Sequence, residues 1–412
     1  MHGRSTRPAV LVLASTYPRW TGDPEPSFVH ELCRRLTDTF EVTAIVPDAP
    51  GADPSGMLDG VEVIRYRYAP RPLQTLVNNG GIAMNLRISR WKYLLVPGFI
   101  LGQFLAARRL SKQRKFAAIH AHWLIPQGTI ARQLKRTFDI PYIVTSHGGD
   151  LFGLRSALLT RGKQQVAAAC SAMTVVSAAM RDEAMRIGLV PPRLDVLPMG
   201  VDLVNLFVPD DSVPRSSNEL LFVGRLVEKK GLRHLIDAMP AILAAHPSTR
   251  LKVAGFGPEE ETLRARTKAL NLAERVEFVG AVSQRDLPDL YRRAAVFVAP
   301  FVQARSGDQE GLGLVAIEAF GCGCPIVLSD LPATRDVLPG STACVRVAPG
   351  SAAALAEAIS AILALPDVGL RAVAAERQGM VDRFDWSRVA SRYSKLIEQV
   401  IVENRRMAEH GA

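Results

Sequence analysis

Two glutamates, Glu310 and Glu318, stand eight residues apart in the stretch 307–328, GDQEGLGLVAIEAFGCGCPIVL. Gly-Leu-Gly-Leu lies between them, and a Gly/Cys/Pro turn then leads into the apolar run Ile326–Leu328. The pattern predicts a loop, a short helix and a buried strand. Gly311 and Gly313 lack a Cβ and let a ligand approach the backbone closely. The unpaired N–H groups of a helix's first turn, with its dipole, suit an anion such as a phosphate. Gly311, Leu312, Gly313 and Leu314 are therefore candidates to hold one. With the helix taken from Leu312 to Ala319, Glu318 lies roughly 9 Å along it, about the length of a diphosphate. Glu310 can then meet one end of a sugar diphosphate and Glu318 the hydroxyls of a ribose at the other. The structural alternative makes Glu310 an acid favourably placed near a helix N-terminus and Glu318 a solvated helix residue. Against it, Glu318 sits among Val315, Ala316, Ile317, Ala319 and Phe320, where a carboxylate needs a partner.

Other residues carry chemistry of the same kind. Arg225 and Lys230 are five apart in Gly224-Arg225-Leu226-Val227-Glu228-Lys229-Lys230-Gly231, between an apolar run and a helical pattern. Two cations there can neutralise a leaving diphosphate in the transition state; solvated loop cations are the alternative. Gly255 and Gly257 follow another apolar run and suit close ligand approach. His147-Gly148-Gly149-Asp150 follows Pro141–Ser146, and open α/β sheets bind ligands at such carboxyl ends of strands; a satisfied core histidine is the alternative. His120 and His122, before Trp123, invite a metal reading, but no third ligand stands nearby. No metal site is expected.

The elements that must position these groups repeat one scheme. In the first half the expected strands are Val10–Leu13, Val42–Val46, Ala118–Ala121, Pro141–Ser146, Met173–Val176 and Asp195–Pro198, with helices Phe28–Thr37 and Ala178–Arg186. A turn-rich loop, Thr16–Ser27, carries Gly22 and Asp23. Leu206–Asn218 is rich in Pro and Ser and reads as a linker. A second series follows: strands Leu220–Val223, Leu251–Ala254, Val276–Val279 and Val296–Pro300, and a helix Leu232–Ala244. Both halves are Rossmann-like, without a G-x-G-x-x-G dinucleotide fingerprint. An amphipathic helix, Trp386–Val402, comes last.

At 412 residues the chain is long enough for two or three domains, and 48% hydrophobic residues can fill their cores. Five cysteines without C-x-x-C spacing argue against a disulfide framework or a zinc site. Val10–Ala14 is too short for a signal sequence and reads as a first strand. The net charge of +10 is uneven: no Asp or Glu occurs between Glu62 and Asp139, while Lys and Arg recur throughout. Within that interval Tyr93–Ala107 is free of charge, flanked by Arg87, Arg90 and Lys92 on one side and Arg108, Arg109, Lys112, Arg114 and Lys115 on the other. A membrane span needs about 20 apolar residues, and Pro97, Gly98 and Gly102 interrupt this run. The segment 65–115 is expected to lie on an anionic membrane surface; a buried helix with solvated basic ends is the alternative. No nucleic-acid motif accompanies the charge, and no nucleic-acid partner is expected.

The stretch EGLGLVAIEAFGCGCPIV resembles the E-x7-E signature of family 4 glycosyltransferases, retaining enzymes of the GT-B fold. HGGD, the Pro198-Met199-Gly200-Val201-Asp202 turn and GRLVEKKG match further motifs of that family in order, so the resemblance covers nearly the whole chain. It implies an α/β fold of two Rossmann-like domains facing across a cleft. Residues 1–203 would bind the acceptor and 204–384 a UDP- or GDP-sugar, with a helix in 385–412 packing back on the first domain. It implies catalytic roles for His147, Glu310, Arg225 and Lys230. Donor contacts would come from Gly224, Gly255, Gly257, Val282, Gly311, Leu312, Gly313, Leu314 and Glu318, and acceptor contacts from Gly22, Asp23, Trp123 and Asp150. No D-x-D motif occurs, in keeping with metal-independent transfer that needs no cofactor beyond the nucleotide sugar. Together with the basic segment, the resemblance suggests a lipid-linked saccharide acceptor at the cytoplasmic membrane face, in polysaccharide or glycolipid assembly. A soluble acceptor, or a non-catalytic nucleotide-sugar-binding scaffold, is the alternative.

Overall fold

Short, mostly apolar runs form strands, most of them buried on both faces, as parallel sheets with covering helices require. The computed structural model describes residues 7–410 except 24, 78–80, 339 and 342, and no side chains at 83, 84, 87, 366–369 and 410. Of the basic flank, the Arg87 side chain therefore lies outside the described residues. The chain divides into two units, Met1–Met199 with Val389–Ala412, and Gly200–Arg388.

The first unit is built on β1 (Ala9–Leu13), β2 (Glu41–Pro47), β3 (Ser55–Leu58), β4 (Val61–Tyr66), β5 (Ala118–His122), β6 (Tyr142–Ser146), β7 (Ala172–Val175) and β8 (Leu194–Val196). They form one sheet in the order β3-β4-β2-β1-β5-β6-β7-β8. Every pairing is parallel except β3 with β4. That hairpin turns through Asp59 and Gly60, both at positive φ, a two-residue Asp-Gly turn that the expected strands omitted.

The helix Leu95–Gln113 resolves the uncharged stretch into two faces. Leu95, Phe99, Gln103, Ala107 and Ser111 are buried, one residue in four. Gln103 donates to the carbonyls of Ala14 and Ile45 at 3.1 and 3.0 Å, pinning the helix across β1 and β2. The other face leaves Leu101 and Leu105 exposed, and the preceding turn exposes Trp91, Tyr93 and Leu94. The helix thus has one buried face and one face with exposed apolar side chains. Not every cation nearby faces solvent: Arg65 is buried and donates to the Pro18 carbonyl at 2.6 Å, Lys92 donates to Asn85 Oδ1 at 2.6 Å, and Arg114 pairs with Glu62 at 2.8 Å. Arg90, Arg108, Arg109, Lys112 and Lys115 are exposed. Among the described residues no helix is long and apolar enough to cross a membrane.

The second unit holds β9 (Glu219–Val223), β10 (Arg250–Ala254), β11 (Val276–Gly280), β12 (Val296–Ala299), β13 (Ile326–Ser329) and β14 (Cys344–Val347), all parallel, in the order β11-β10-β9-β12-β13-β14. The chain order reverses at β9/β12, and at β1/β5 in the first unit, the kind of switch point where open sheets form ligand crevices.

The boundaries differ from those expected. The units part at 199/200 and 388/389, not at 203/204 and 384/385. Two short segments of the second unit explain the shift. Val201 N–H donates to Phe384 O at 2.9 Å, Trp386 N–H to Val201 O at 3.2 Å, and Leu203 N–H to Asp385 Oδ2 at 3.0 Å. The expected linker lies within that unit, where Arg215 donates to the carbonyls of Tyr291 and Ala294 at 3.2 and 2.6 Å. The last helix, Trp386–His410, longer than expected, joins the first unit from Val389 onward. There Tyr393, Leu396, Ile397 and Val400 are buried.

Candidate active site

In the second unit the loops after β9 and β12 interlock. A Cβ on Gly231 would lie 1.8 Å from Pro300 O, and Val302 N–H donates to Lys229 O at 2.9 Å. This brings Lys230 to Glu310: Nζ and Oε2 are 2.8 Å apart, both side chains largely buried. The Lys230 ammonium also lies 4.6 Å from the Phe301 ring centroid, within cation–π range. Lys229 pairs with Asp308 at 3.2 Å. Burial alone would push the Glu310 carboxyl up, but the charges of Lys230 and Lys229, with hydrogen bonds from Lys230 and the Gly311 N–H, hold it down at about 2. Glu310 is therefore a carboxylate at any physiological pH. Arg225 stands in the same β9 loop, half-buried. Gly224 lies against the Lys230 stem: a Cβ there would be 3.6 Å from Lys230 Cδ.

The helix begins at Leu314, two residues later than expected, and ends at Gly321. Gly313 caps it at φ +89°, and a Cβ there would lie 3.1 Å from Phe301 and 3.8 Å from Glu310 Cγ. The left-handed backbone that glycine permits is what delays the helix and sets its first turn beside Glu310. Leu312 is buried, while Leu314 and Val315 are half-buried. Glu318 then lies about 6 Å along the helix rather than about 9 Å. It is buried, and its oxygens accept from Gln284 at 3.0 Å and from the Tyr291 hydroxyl at 2.9 Å. Burial pushes its carboxyl up, and these two bonds oppose that shift. Neither partner was anticipated. Tyr291 left a trace, since a tyrosine among apolar residues needs a partner for its hydroxyl; Gln284 left none.

Gly255 and Gly257 owe their identity to neighbouring backbone. A Cβ on Gly255 would lie 1.9 Å from Gly224 O, and one on Gly257 2.4 Å from Leu226 O. The tight packing of the β10 loop on the β9 loop accounts for both without a ligand. Val282 is half-buried, just past β11.

In the first unit His147 follows β6 and is half-buried. Its Nε2 lies 2.9 Å from His122 Nδ1. Burial, with the neighbouring His120, holds its pKa down at about 3, so the ring is neutral. Phe28 and Trp123 stand against it with ring centroids 4.9 and 5.0 Å away. Trp123 takes φ +77°, a backbone strain that bulky residues rarely carry and that sets its ring against His147. Asp150 is buried, with both oxygens engaged by its surroundings: Oδ2 accepts from Leu124 N–H at 2.7 Å, and Oδ1 from the Ser146 hydroxyl at 2.8 Å. Asp23 is likewise engaged, by the Arg19 side chain and backbone at 2.6–2.8 Å. Both carboxylates thus have structural partners that sequence reasoning did not supply. Gly22, at φ +85°, has open space where a Cβ would be. Among the described residues no group of three or more His, Cys, Asp or Glu is placed to hold a metal ion.

Comparison with known proteins bears on both units. Residues 27–200 match the family model described as "Glycosyl transferase 4-like domain", and residues 209–378 match "Glycosyl transferases group 1". The chain is 27% identical over 400 residues to the glycogen synthase of Mycobacterium tuberculosis strain H37Rv, covering 93% of this chain and 92% of that one. It is 27% identical over 415 residues to the GDP-mannose-dependent alpha-(1-6)-phosphatidylinositol monomannoside mannosyltransferase of Mycolicibacterium smegmatis, covering 94% and 98%. Among solved structures, sucrose-phosphate synthase from Thermosynechococcus elongatus superposes with a TM-score of 0.78 at 22% identity, covering 96% of this chain and all of that one; that likeness speaks for the fold.

Proposed function

Since the chain belongs to the glycosyltransferases, with a 4-like first domain and a group 1 second domain of the GT-B fold, we propose that it transfers a sugar from a nucleotide diphosphate sugar with retention at the anomeric carbon. The observation that carries this reading is the cluster of Lys230, Glu310, Phe301 and the Gly313-capped helix start, beside Arg225. Arg225, Lys230 and the helix N–H groups receive the diphosphate and stabilise its charge as it leaves. Glu310, held ionised, orients Lys230 when no donor is bound. Glu318 binds the ribose hydroxyls, positioned by Gln284 and Tyr291. His147 contacts the donor sugar near the reacting carbon. The anomeric carbon–phosphate oxygen bond breaks, the acceptor oxygen bonds to the same face, and the acceptor proton passes to the leaving phosphate. These protein groups supply the charge that a metal would otherwise bring.

The acceptor in this reading is lipid-linked and met at an anionic membrane surface. Trp91, Tyr93, Leu94, Leu101 and Leu105 are exposed beside Arg108, Arg109, Lys112 and Lys115, a combination that suits an anionic leaflet. A relative along nearly the full chain acts on a phosphatidylinositol monomannoside, as its name states. Another full-length relative is a glycogen synthase, which favours a soluble acceptor as the second reading. Calorimetric titration with UDP-, GDP- and ADP-sugars, with nucleotide release measured in the same samples, tests the donor. One sugar nucleotide is expected to bind saturably and release its nucleotide slowly; no binding by any would refute the assignment. Co-sedimentation with phosphatidylglycerol vesicles tests the surface. Reversing the charges of Arg108, Arg109, Lys112 and Lys115 together is expected to cut vesicle binding at least about tenfold; unchanged binding would move the acceptor into solution.

A further inference from the structure

His122, at the end of β5, is fully buried and faces His147 across a 2.9 Å Nδ1···Nε2 contact, their rings stacked 5.2 Å apart with 13° between planes. Burial, with the neighbouring histidines, pushes His122 well below its ordinary pKa, as it does His147. Two neutral rings share one proton on this line, and two arrangements exist. If His147 donates, His122 must carry its proton on Nε2. If His122 donates, its Nε2 is bare. That nitrogen has no protein partner among the described residues.

The adjacent ring discriminates between them. His120 Nε2 lies 2.8 Å from Thr145 Oγ1, Thr145 lies 2.7 Å from Thr174 Oγ1, and Thr174 lies 3.4 Å from Tyr393 Oη. Tyr393 donates to the Leu197 carbonyl at 3.0 Å. A carbonyl only accepts; with the long Thr174–Tyr393 contact taken as a bond, the donors run in sequence from His120 to Leu197 and His120 carries its proton on Nε2. Its Nδ1 is then bare, and it too is buried without a partner among the described residues. The His120 and His122 ring centroids are only 4.2 Å apart, yet these two nitrogens do not bond to each other. A proton on His122 Nε2 would instead be a buried N–H with no protein acceptor among the described residues, and orphaned buried N–H groups are rarer than under-satisfied acceptors.

We propose that His122 is a positioning residue: it donates Nδ1–H to His147 Nε2 and so fixes His147 in the tautomer that carries its proton on Nδ1. His147 then offers an uncharged N–H donor to an oxygen of the bound sugar. The catalytic consequence rests on the reading that His147 contacts the donor sugar; the tautomer itself does not. A hydrogen bond on one ring nitrogen sets which tautomer the other presents.

Long-range proton–nitrogen correlation spectra of protein labelled with 15N-histidine test this directly, with His147→Ala assigning the His147 signals. The expected result is His147 protonated at Nδ1 with an unprotonated Nε2; protonation at Nε2 in the native protein would overturn the proposal. His122→Asn places an amide N–H where Nδ1–H stood and is expected to keep the tautomer and to hold kcat within about threefold. His122→Phe keeps an aromatic ring without the donor and is expected to lose the tautomer preference and about tenfold in kcat, the worth of roughly one hydrogen bond, with donor KM little changed. Equal loss in both variants would mean that His122 only packs. If His122→Phe does not fold, the native spectrum and His122→Asn still decide. If His147→Ala keeps native turnover, the donor-sugar role falls, while the spectrum still answers for the tautomer.

Discussion

Lys230 is held from two sides, by the Glu310 carboxylate at 2.8 Å and the Phe301 ring at 4.6 Å. In the proposed reaction, a long flexible ammonium so restrained is already ordered before the diphosphate arrives, which lowers the entropy lost on binding. Replacing Arg225 or Lys230 by Ala is expected to cut kcat by ~10²-fold each, as with other lost transition-state donors. Steady-state assay with the identified donor checks this, and wild-type turnover in both variants would remove their role. Glu310 gives a prediction with a sign. Its folded pKa of about 2 lies below the ordinary glutamate value of 4.5. The stability it contributes is thus present above about pH 4.5 and lost as pH falls through about 2. Glu310→Gln should lower the protection of β9 and β12 amides at neutral pH and flatten its pH dependence below about 4.5. Hydrogen exchange at several pH values measures both; native-like protection with unchanged pH dependence would show that the Lys230 pair contributes nothing.

The elements show where the sequence was readable. The strands from β5 to β7 and β9 to β13 are short, mostly apolar runs closed by turn residues, and their placement follows largely from that composition. Cations and carboxylates at the strand ends were visible for the same reason: they break such runs. What local pattern could not carry was anything that depends on a contact distant in sequence. Gln284 and Tyr291 reach Glu318 from 34 and 27 residues away. Phe301 meets Lys230 only because two loops interlock. Gly255 looked like room for a ligand, but its missing Cβ makes room for the Gly224 carbonyl. That finding is testable. Gly255→Ala must place a Cβ 1.9 Å from that oxygen at φ +142°, so the β9 loop has to move. We expect a loss of about 3 kcal/mol or more, read as reduced hydrogen-exchange protection in β9 and β10, with weaker donor binding. Native-like protection would show that the loops do not pack as described.

At the scale of the whole molecule, the first unit is discontinuous and the second is not. Tyr393, Leu396, Ile397, Val400 and Ile401 are buried although they come from the last helix, and a fully buried side chain of this kind contributes about 1.5–3 kcal/mol. Their sum rivals the net stability of a domain. A chain ending at Arg388 is therefore expected to be insoluble or to lose amide protection in β6 and β7, with partial recovery when residues 389–410 are supplied as a peptide. A soluble truncated protein with native protection there would show that the helix is dispensable. The stitched crossings at Val201 and Asp385 also bear on how the protein is made. At about 5–20 residues per second, the half-finished first unit waits on the order of 10–40 s while the whole second unit leaves the ribosome. During that interval the surface that Tyr393 and its neighbours will cover is bare to solvent. Translation speed across residues 200–388, and chaperones that bind apolar surface, therefore bear on the yield of the first unit, although none of those residues belongs to it.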